Sequence, residues 1–82
     1  MAETPLTVLE RLVDQRVLLR LKDGRELEGK LLGVDEHLNL ALDDGSEKAA
    51  EVSRHLGRVV VRGSNVMTLL APSASSSRSK GR

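Results

Sequence analysis

Residues 21–42 read LKDGRELEGKLLGVDEHLNLAL, and this segment decides the fold because it predicts two strands that follow a tight turn. Asp23 and Gly24 form a strong hairpin signal, since both residues can adopt positive φ in a two-residue turn. The next ten residues, RELEGKLLGV, predict the second strand of a sheet, and LNLAL predicts the third. Gly29 and Gly33 lie inside the second strand, where glycine marks a bend, a bulge or a close backbone approach. We therefore expect a long strand that curls around a small core.

The chain before this segment predicts a short helix and the first strand. Thr4 is a good helix N-cap, Pro5 suits the first helical position, and apolar residues then recur at helical spacing to about Asp14. RVLLRLK, residues 16–22, changes to a period of two, which is typical of a strand with one buried face. The residues predicted to face the core are Val17, Leu19 and Leu21.

The chain after the segment predicts a loop and two more strands. Residues 43–54, DDGSEKAAEVSR, are polar and aperiodic and indicate a variable loop with little functional signal. HLGRVVVR and VMTLLA predict the fourth and fifth strands, with GSN as the turn between them. Both strands carry few of the charges or prolines that normally protect a sheet edge, so they should pair with another chain.

These elements together predict an all-β fold, in which a short N-terminal helix precedes a five-stranded, strongly bent antiparallel sheet or small open barrel. Head-to-tail pairing of one free edge with the other edge of the next subunit closes into a ring when the rotation permits. The sequence therefore favours a cyclic homo-oligomer.

Length and composition point the same way. The 82 residues make one small domain, and such a chain buries only about 60% of its unfolded surface, so its stability is marginal. There is no cysteine and no zinc-ligand spacing, which leaves oligomerisation as the means of stabilisation. No signal peptide and no apolar run of about 20 residues is present, so we expect a soluble, cytoplasmic protein with no membrane association.

The net charge of +1 hides an asymmetry between the body of the chain and its last ten residues, SASSSRSKGR. That segment, which we expect to be a disordered basic tail, contains Arg78, Lys80 and Arg82 and leaves ten basic and twelve acidic residues elsewhere. The body therefore lacks the basic face of a general polyanion binder. With no Phe, Tyr or Trp, an aromatic stacking platform is excluded too. Any nucleic-acid binding must depend on a few well-placed groups.

Two polar motifs supply such groups. VDEHLNLAL, residues 34–42, places Asp35, His37 and Asn39 at every second position, and RGSN, residues 62–65, follows the fourth strand. Imidazole and guanidinium are planar and can stack on opposite faces of a base. An asparagine amide offers a donor and an acceptor that complement the uracil edge, and an arginine adds charge for phosphate.

Together, LKDGRELEGKLLGVDEHLNLAL and LGRVVVRGSNVMTLLAP resemble the bipartite signature of the Sm/Sm-like (LSm) family, and D-x-H-x-N with its central histidine is most similar to archaeal Sm-like proteins. The resemblance assigns residues 1–72 to one Sm-like domain and leaves the tail, residues 73–82, outside it. It implies a homo-oligomeric ring, commonly a heptamer with a hexamer also open, that binds U-rich single-stranded RNA at its inner rim. The ring would act as a ribonucleoprotein scaffold or chaperone in RNA metabolism.

The RNA-binding residues that the resemblance implies come from two loops and are His37, Asn39, Arg62, Gly63 and Asn65. The base would lie between His37 and Arg62, while Asn39 would hydrogen-bond to the uracil edge. Asp35 would brace its loop rather than touch RNA. Ser64 is a supporting residue that stands where many archaeal relatives carry an acid that helps to hold the arginine.

Simpler interpretations are open at this point. His37 can be a loop histidine without a ligand, and Arg62-Gly63 can be a hairpin turn beside a solvated arginine, since Gly63 suits positive φ. The alternative function is a ring-forming structural or protein-interaction module with a vestigial base pocket. No nucleophile elbow, metal-ligand spacing or phosphate loop is present, so we expect no enzyme activity, no cofactor and no metal site.

Overall fold

The computed structural model describes residues 3–71, in which one short helix precedes five antiparallel strands. The elements are α1 (Pro5–Glu10), β1 (Arg16–Leu21), β2 (Glu26–Val34), β3 (Leu40–Ala49), β4 (Val52–Val61), a 3₁₀ turn (Gly63–Asn65) and β5 (Val66–Leu70). The predicted helix and bent, five-stranded antiparallel sheet are confirmed. The predicted tail lies outside the described residues.

The core lies on one face of a single sheet, whose strand order is β4-β3-β2-β1-β5. The alternating residues predicted for β1 are all buried there, because a strand presents every second side chain to the same face. The buried apolar residues are Val17, Leu19, Leu21, Leu27, Leu31, Leu40, Leu42 and Val61. Leu9, Leu12 and Val13 pack against this cluster, so the helical segment covers part of the core.

The helix is shorter than predicted. Thr4 Oγ1 accepts a hydrogen bond from Thr7 N at 3.1 Å, which confirms the predicted N-cap. After Glu10, the chain continues in turns, and Leu12 N donates to Leu9 O at 2.9 Å. These turns end at Asp14, whose φ of 78° is incompatible with a right-handed helix.

The close approach of β2 to β3 depends on Gly29. A Cβ atom there would lie 2.9 Å from the carbonyl oxygen of Asp43, so a side chain would push β2 away from β3. The pairing of β2 with β3 shifts register at two places, beside Gly29 and beside Gly33. The strand glycines therefore mark irregularities, as the sequence predicted, although Gly33 has open space at its Cβ position.

The turn between β1 and β2 differs from the predicted two-residue form. Only Gly24 has positive φ, at 96°, and its N–H donates to Leu21 O at 3.0 Å. Asp23 Oδ1 instead accepts a hydrogen bond from Arg25 N at 3.0 Å. Because this carboxylate caps the turn, Asp23 does not need a left-handed backbone.

The predicted loop over residues 43–54 is wrong. Strand β3 continues to Ala49 and β4 begins at Val52, so this region is a long hairpin. Register shifts near Gly45 interrupt the period of two on which the prediction relied. A polar side chain also occupies a buried position here that an apolar residue would normally fill: Glu47 is buried and pairs with Arg25 and Arg54.

The two strands that the sequence identified as unprotected edges, β4 and β5, are the two edges of the sheet. Val60 on β4 is 76% exposed and Met67 on β5 is 65% exposed, although both are large apolar residues. A single copy of the chain thus leaves apolar side chains on both edges in water. No helix within residues 3–71 has the length and apolar character needed to cross a membrane.

Candidate nucleic-acid interface

All seven predicted site residues lie on two loops that meet at one end of the sheet. The β2–β3 loop (residues 35–39) and the β4–β5 loop (residues 62–65) flank the paired ends of β3 and β4. Leu40, the first residue of β3, pairs with Val61, the last residue of β4. This pairing places Asn39, just before β3, next to Arg62, just after β4.

Asp35 organises the β2–β3 loop. Its Oδ1 accepts hydrogen bonds from the backbone N–H groups of His37 and Asn39, both at 2.9 Å, and its Oδ2 accepts one from Asn39 Nδ2 at 3.0 Å. These bonds, above all the one from the Asn39 backbone N–H, lower the pKa of Asp35 below its ordinary value. The carboxylate is therefore ionised at neutral pH, and as an ion it can accept all three of these hydrogen bonds, as a bracing residue must.

Leu38 turns the chain between the histidine and the asparagine. Its φ is 64°, a left-handed conformation that costs an L-residue about 1–2 kcal/mol. The loop offsets this cost with two backbone hydrogen bonds: Leu38 N donates to Asp35 O at 2.9 Å and Asp35 N donates to Asn39 O at 3.1 Å. The sequence contains no signal for this conformation, because leucine rarely adopts positive φ.

Asn39 joins the two loops through its side chain. Its Nδ2 donates to Asp35 Oδ2, and its Oδ1 accepts a hydrogen bond of 3.4 Å from Gly63 N. Because opposite ends of the amide have different partners, these contacts also fix which way the amide faces. An asparagine amide has two N–H donors and two acceptor lone pairs, so one of each is left for a ligand.

Gly63 is required by the contact between the loops. A Cβ atom at this position would lie 3.0 Å from Leu38 Cβ and closer still to Leu38 O. Gly63 begins the 3₁₀ turn and does not have positive φ, so the interpretation that it serves a left-handed turn is wrong. Its function is to let the β4–β5 loop touch the β2–β3 loop.

The remaining site residues border this contact. His37 and Arg62 are exposed neighbours of Leu38 and Gly63, and their side chains form no hydrogen bond or ion pair within residues 3–71. Asn65 N donates to Arg62 O at 3.0 Å, which closes the turn. In the same part of the chain Ser64 makes no side-chain hydrogen bond to the arginine, so its supporting role stays a prediction.

Comparison with known proteins decides what kind of chain carries these loops. The family model of the LSM domain matches residues 7–71. The chain belongs to the LSM family. Membership of this family of RNA-binding ring proteins also agrees with the prediction that the chain is not an enzyme.

Relatives of this LSM-family chain include archaeal proteins of similar length. It is 46% identical over 70 residues to a snRNP Sm-like protein of Thermococcus kodakarensis, a match that covers 84% of this chain and 92% of the relative. The Pyrococcus abyssi Sm protein, solved in complex with a uridine heptamer, superposes with a TM-score of 0.77 at 41% identity, covering 84% of this chain and 99% of that one. The SmAP1 heptamer of P. aerophilum gives a TM-score of 0.81 at 31% identity, covering 90% and 100%.

A concavity next to the loops of this LSM-family chain was not predicted. A surface concavity of about 310 Å³ lies beside Asn39 and is lined by Gly33, Val34, Asp35, Asn39, Leu40, Ala41 and Val60. Two small residues of its lining, Gly33 and Ala41, are paired across β2 and β3. No group of His, Cys, Asp or Glu residues in the described part of the chain is placed to hold a metal ion.

Proposed function

We propose that this protein binds U-rich single-stranded RNA at the inner rim of a homo-oligomeric ring and acts as a scaffold or chaperone in RNA metabolism. The observation that carries this proposal is the Asn39 amide, which is held between the two loops with one donor and one acceptor free. The Pyrococcus abyssi relative, solved with a uridine heptamer, supports the same ligand class.

The fixed amide explains how uracil would be selected. The free N–H can donate to a uracil carbonyl, while the free lone pair accepts from the uracil N3–H. An amide that could turn over would suit other bases as well, because its donor and acceptor would exchange places. Here a flip would break the bonds to both Asp35 and Gly63.

His37 and Arg62 provide the stacking surfaces in this proposal. Both are exposed and lie next to the two residues through which the loops touch. Stacking on an aromatic side chain contributes about 1–3 kcal/mol per base, and we expect the lower end without a larger ring system. One pocket therefore binds weakly, and useful affinity requires several pockets on one strand.

Ring assembly supplies that repetition. A single copy leaves exposed apolar side chains on both free edges, and antiparallel pairing of β4 with β5 of the next copy would bury them. The heptamer formed by the P. aerophilum relative supports a ring of similar size. The cytoplasmic location expected from the sequence is part of the same proposal.

The direct test compares binding of oligo(U) and oligo(A) to the wild-type protein and to Asn39→Ala. Loss of about two net hydrogen bonds should weaken oligo(U) binding by about 1–3 kcal/mol per pocket and abolish the preference over oligo(A). Gln15→Ala is the matched control, because it removes an exposed amide side chain that hydrogen-bonds only to Arg11 O within residues 3–71.

Equal affinity for both RNAs, unchanged in Asn39→Ala, would rule out a uridine pocket. If the purified, nuclease-treated protein forms rings yet binds neither RNA, the alternative of a ring-forming structural or protein-interaction module is favoured. Contaminating RNA is easy to detect in this comparison, because the chain has no Trp or Tyr to absorb at 280 nm.

A further inference from the structure

We propose that the turn between β1 and β2 binds the phosphodiester backbone of the RNA through Lys22 and Arg25. This inference rests on the proposed function and adds a second group of contacts to it. The two loops described above would read the base, whereas this turn would hold the adjacent phosphate.

The turn lies against the β4–β5 loop. Lys22 N donates a hydrogen bond of 2.9 Å to Asn65 O, which ties the turn to the loop by its backbone. A surface concavity of about 160 Å³ lies between them and is lined by Leu21, Lys22, Asp23, Arg25 and Asn65. The concavity therefore borders the loop that would hold the base, within reach of the phosphate next to it in the proposal.

Arg25 is held in place by two carboxylates. Its Nε donates to Asp23 Oδ2 at 2.8 Å and its Nη1 donates to Glu47 Oε2 at 2.6 Å. A guanidinium has five N–H donors, so three are left, and the side chain is 47% exposed. A guanidinium that is already oriented loses less conformational entropy when it binds a phosphate.

Arg25 also connects this concavity to the base site. It borders a neighbouring concavity of about 190 Å³ that is lined in part by Arg62 and Asn65. Arg25 of the turn and Arg62 of the β4–β5 loop thus line the same concavity, together with Glu47 and several apolar residues. Phosphate contacts of this kind position a strand without selecting its sequence.

The charge of Arg25 is offset by its two carboxylates, so the positive charge available to an anion at the turn is that of Lys22. Asp23 and Glu47 are the acids nearest to Arg25, and the oxygens of both already accept hydrogen bonds from arginine. Within residues 3–71, the Lys22 ammonium forms no ion pair, unlike most cationic side chains of the sheet. The spare groups around the concavity are therefore donors with positive charge, as a phosphate requires.

The experiment measures the affinity of the full-length ring for oligo(U) and for oligo(A) over a series of salt concentrations. Lys22→Gln should weaken binding of both RNAs by the same factor, several-fold, and leave their ratio unchanged. The slope of log K against log salt should become shallower by about 0.7 for each phosphate that the variant no longer neutralises. Lys30→Gln is the matched control, since Lys30 is an exposed lysine of β2 that forms no ion pair in the described chain.

An RNA analogue with an uncharged backbone distinguishes phosphate contacts from base contacts. With methylphosphonate-linked oligo(U), Lys22→Gln and wild type should bind equally, whereas Asn39→Ala should still be weaker. Arg25→Lys keeps the positive charge but loses the planar guanidinium with its several N–H donors. Its affinity for natural RNA should lie between those of wild type and Lys22→Gln. Thermal unfolding and ring size of each variant show whether it is folded before binding is compared.

The inference is overturned if Lys22→Gln matches Lys30→Gln in affinity and salt slope while Asn39→Ala abolishes the preference for oligo(U). It is also overturned if Lys22→Gln changes the ratio of oligo(U) to oligo(A) affinity, since that indicates base contact. An absent preference in the wild-type ring would contradict the proposed function itself, which is a different outcome.

Discussion

Gly63 has no side chain, and this lets the two loops touch. The neighbouring carbonyl of Leu38 occupies the space that a Cβ atom would need, and the Gly63 N–H reaches the Asn39 side chain. Because close packing tolerates little extra volume, a methyl group at position 63 would push the loops apart and break this hydrogen bond. The candidate site is therefore sensitive to a residue that never needs to contact RNA through a side chain.

Gly63→Ala should consequently lower the free energy of unfolding by about 1–3 kcal/mol, as overpacking does, and weaken oligo(U) binding. Gly33→Ala is the control, because Gly33 lies in the same region with open space at its Cβ position and without positive φ. That variant should change stability by no more than about 1 kcal/mol. Denaturant unfolding and oligo(U) titration measure both effects, and equal behaviour of the two variants would exclude a role for the loop contact.

We expect the stability of the fold to depend on pH through Asp35. The hydrogen bonds from Asn39 and His37 lower its pKa in the folded state, below the value of about 3.9 in an unfolded chain. Its ionisation therefore stabilises the fold above that pH, and this stabilisation is lost as the pH falls through the lowered folded-state pKa. Asp35→Asn should be less stable than wild type at neutral pH, and the difference should shrink below about pH 4.

Unfolding at a series of pH values and one protomer concentration measures this difference. Glu36→Gln is the control, since Glu36 is an exposed neighbour whose side chain makes no hydrogen bond or ion pair within the described residues. A difference between wild type and Asp35→Asn that is the same at pH 3 and pH 7 would contradict the assignment to this carboxylate.

At the scale of elements, the β3–β4 hairpin extends beyond the apolar core and is joined to the rest of the sheet by backbone pairing with β2 and by ion pairs. Glu47 accepts hydrogen bonds from Arg54 at 2.8 Å and from Arg25 at 2.6 Å, and the pKa of this carboxyl is lowered, chiefly by Arg54. The first partner lies on β4 and the second lies in the turn between β1 and β2. A single buried carboxylate thus connects three parts of the chain.

Glu47→Gln should lower the melting temperature and make amide hydrogen exchange several-fold faster at the far end of the hairpin, because Arg54 loses its ionic partner and Arg25 keeps only Asp23. Exchange in β1 should change much less. Glu51→Gln is the control, as Glu51 is exposed at the hairpin turn and forms no ion pair within residues 3–71. If both variants exchange alike, the hairpin is held by its backbone pairing alone.

At the scale of the whole molecule, we expect the two free edges to decide the assembly. Val60→Glu places a carboxylate on β4 where pairing with another copy would bury it, at a cost of several kcal/mol. Since each 1.4 kcal/mol is a factor of ten, the ring should dissociate at a protomer concentration at least about tenfold higher than the wild-type ring does.

Native mass spectrometry and light scattering over a dilution series measure this change. Val8→Glu is the control, because Val8 is also exposed but lies on α1 rather than on an edge. We expect the wild-type ring to survive dilution. A stable folded monomer of the wild-type chain at low concentration would contradict ring formation through the edges.

The sequence by itself determined the features that depend on neighbouring residues. The period of two in β1, the Thr4 N-cap, the glycines of β2 and the polar loops at residues 35–39 and 62–65 all follow from local periodicity and turn chemistry. These features sufficed to predict the fold, and the resemblance of the two motifs to the LSm signature indicated the family.

Only the tertiary structure decided how the loops and the hairpin are held. The Asn39–Gly63 hydrogen bond joins residues 24 apart in sequence, and the Arg25–Glu47 ion pair joins residues 22 apart. Such contacts depend on how the sheet bends, and the bulges that bend it also hid the polar half of the β3–β4 hairpin. The left-handed backbone of Leu38 has the same origin, because the contacts around it, and not its own preference, stabilise that conformation.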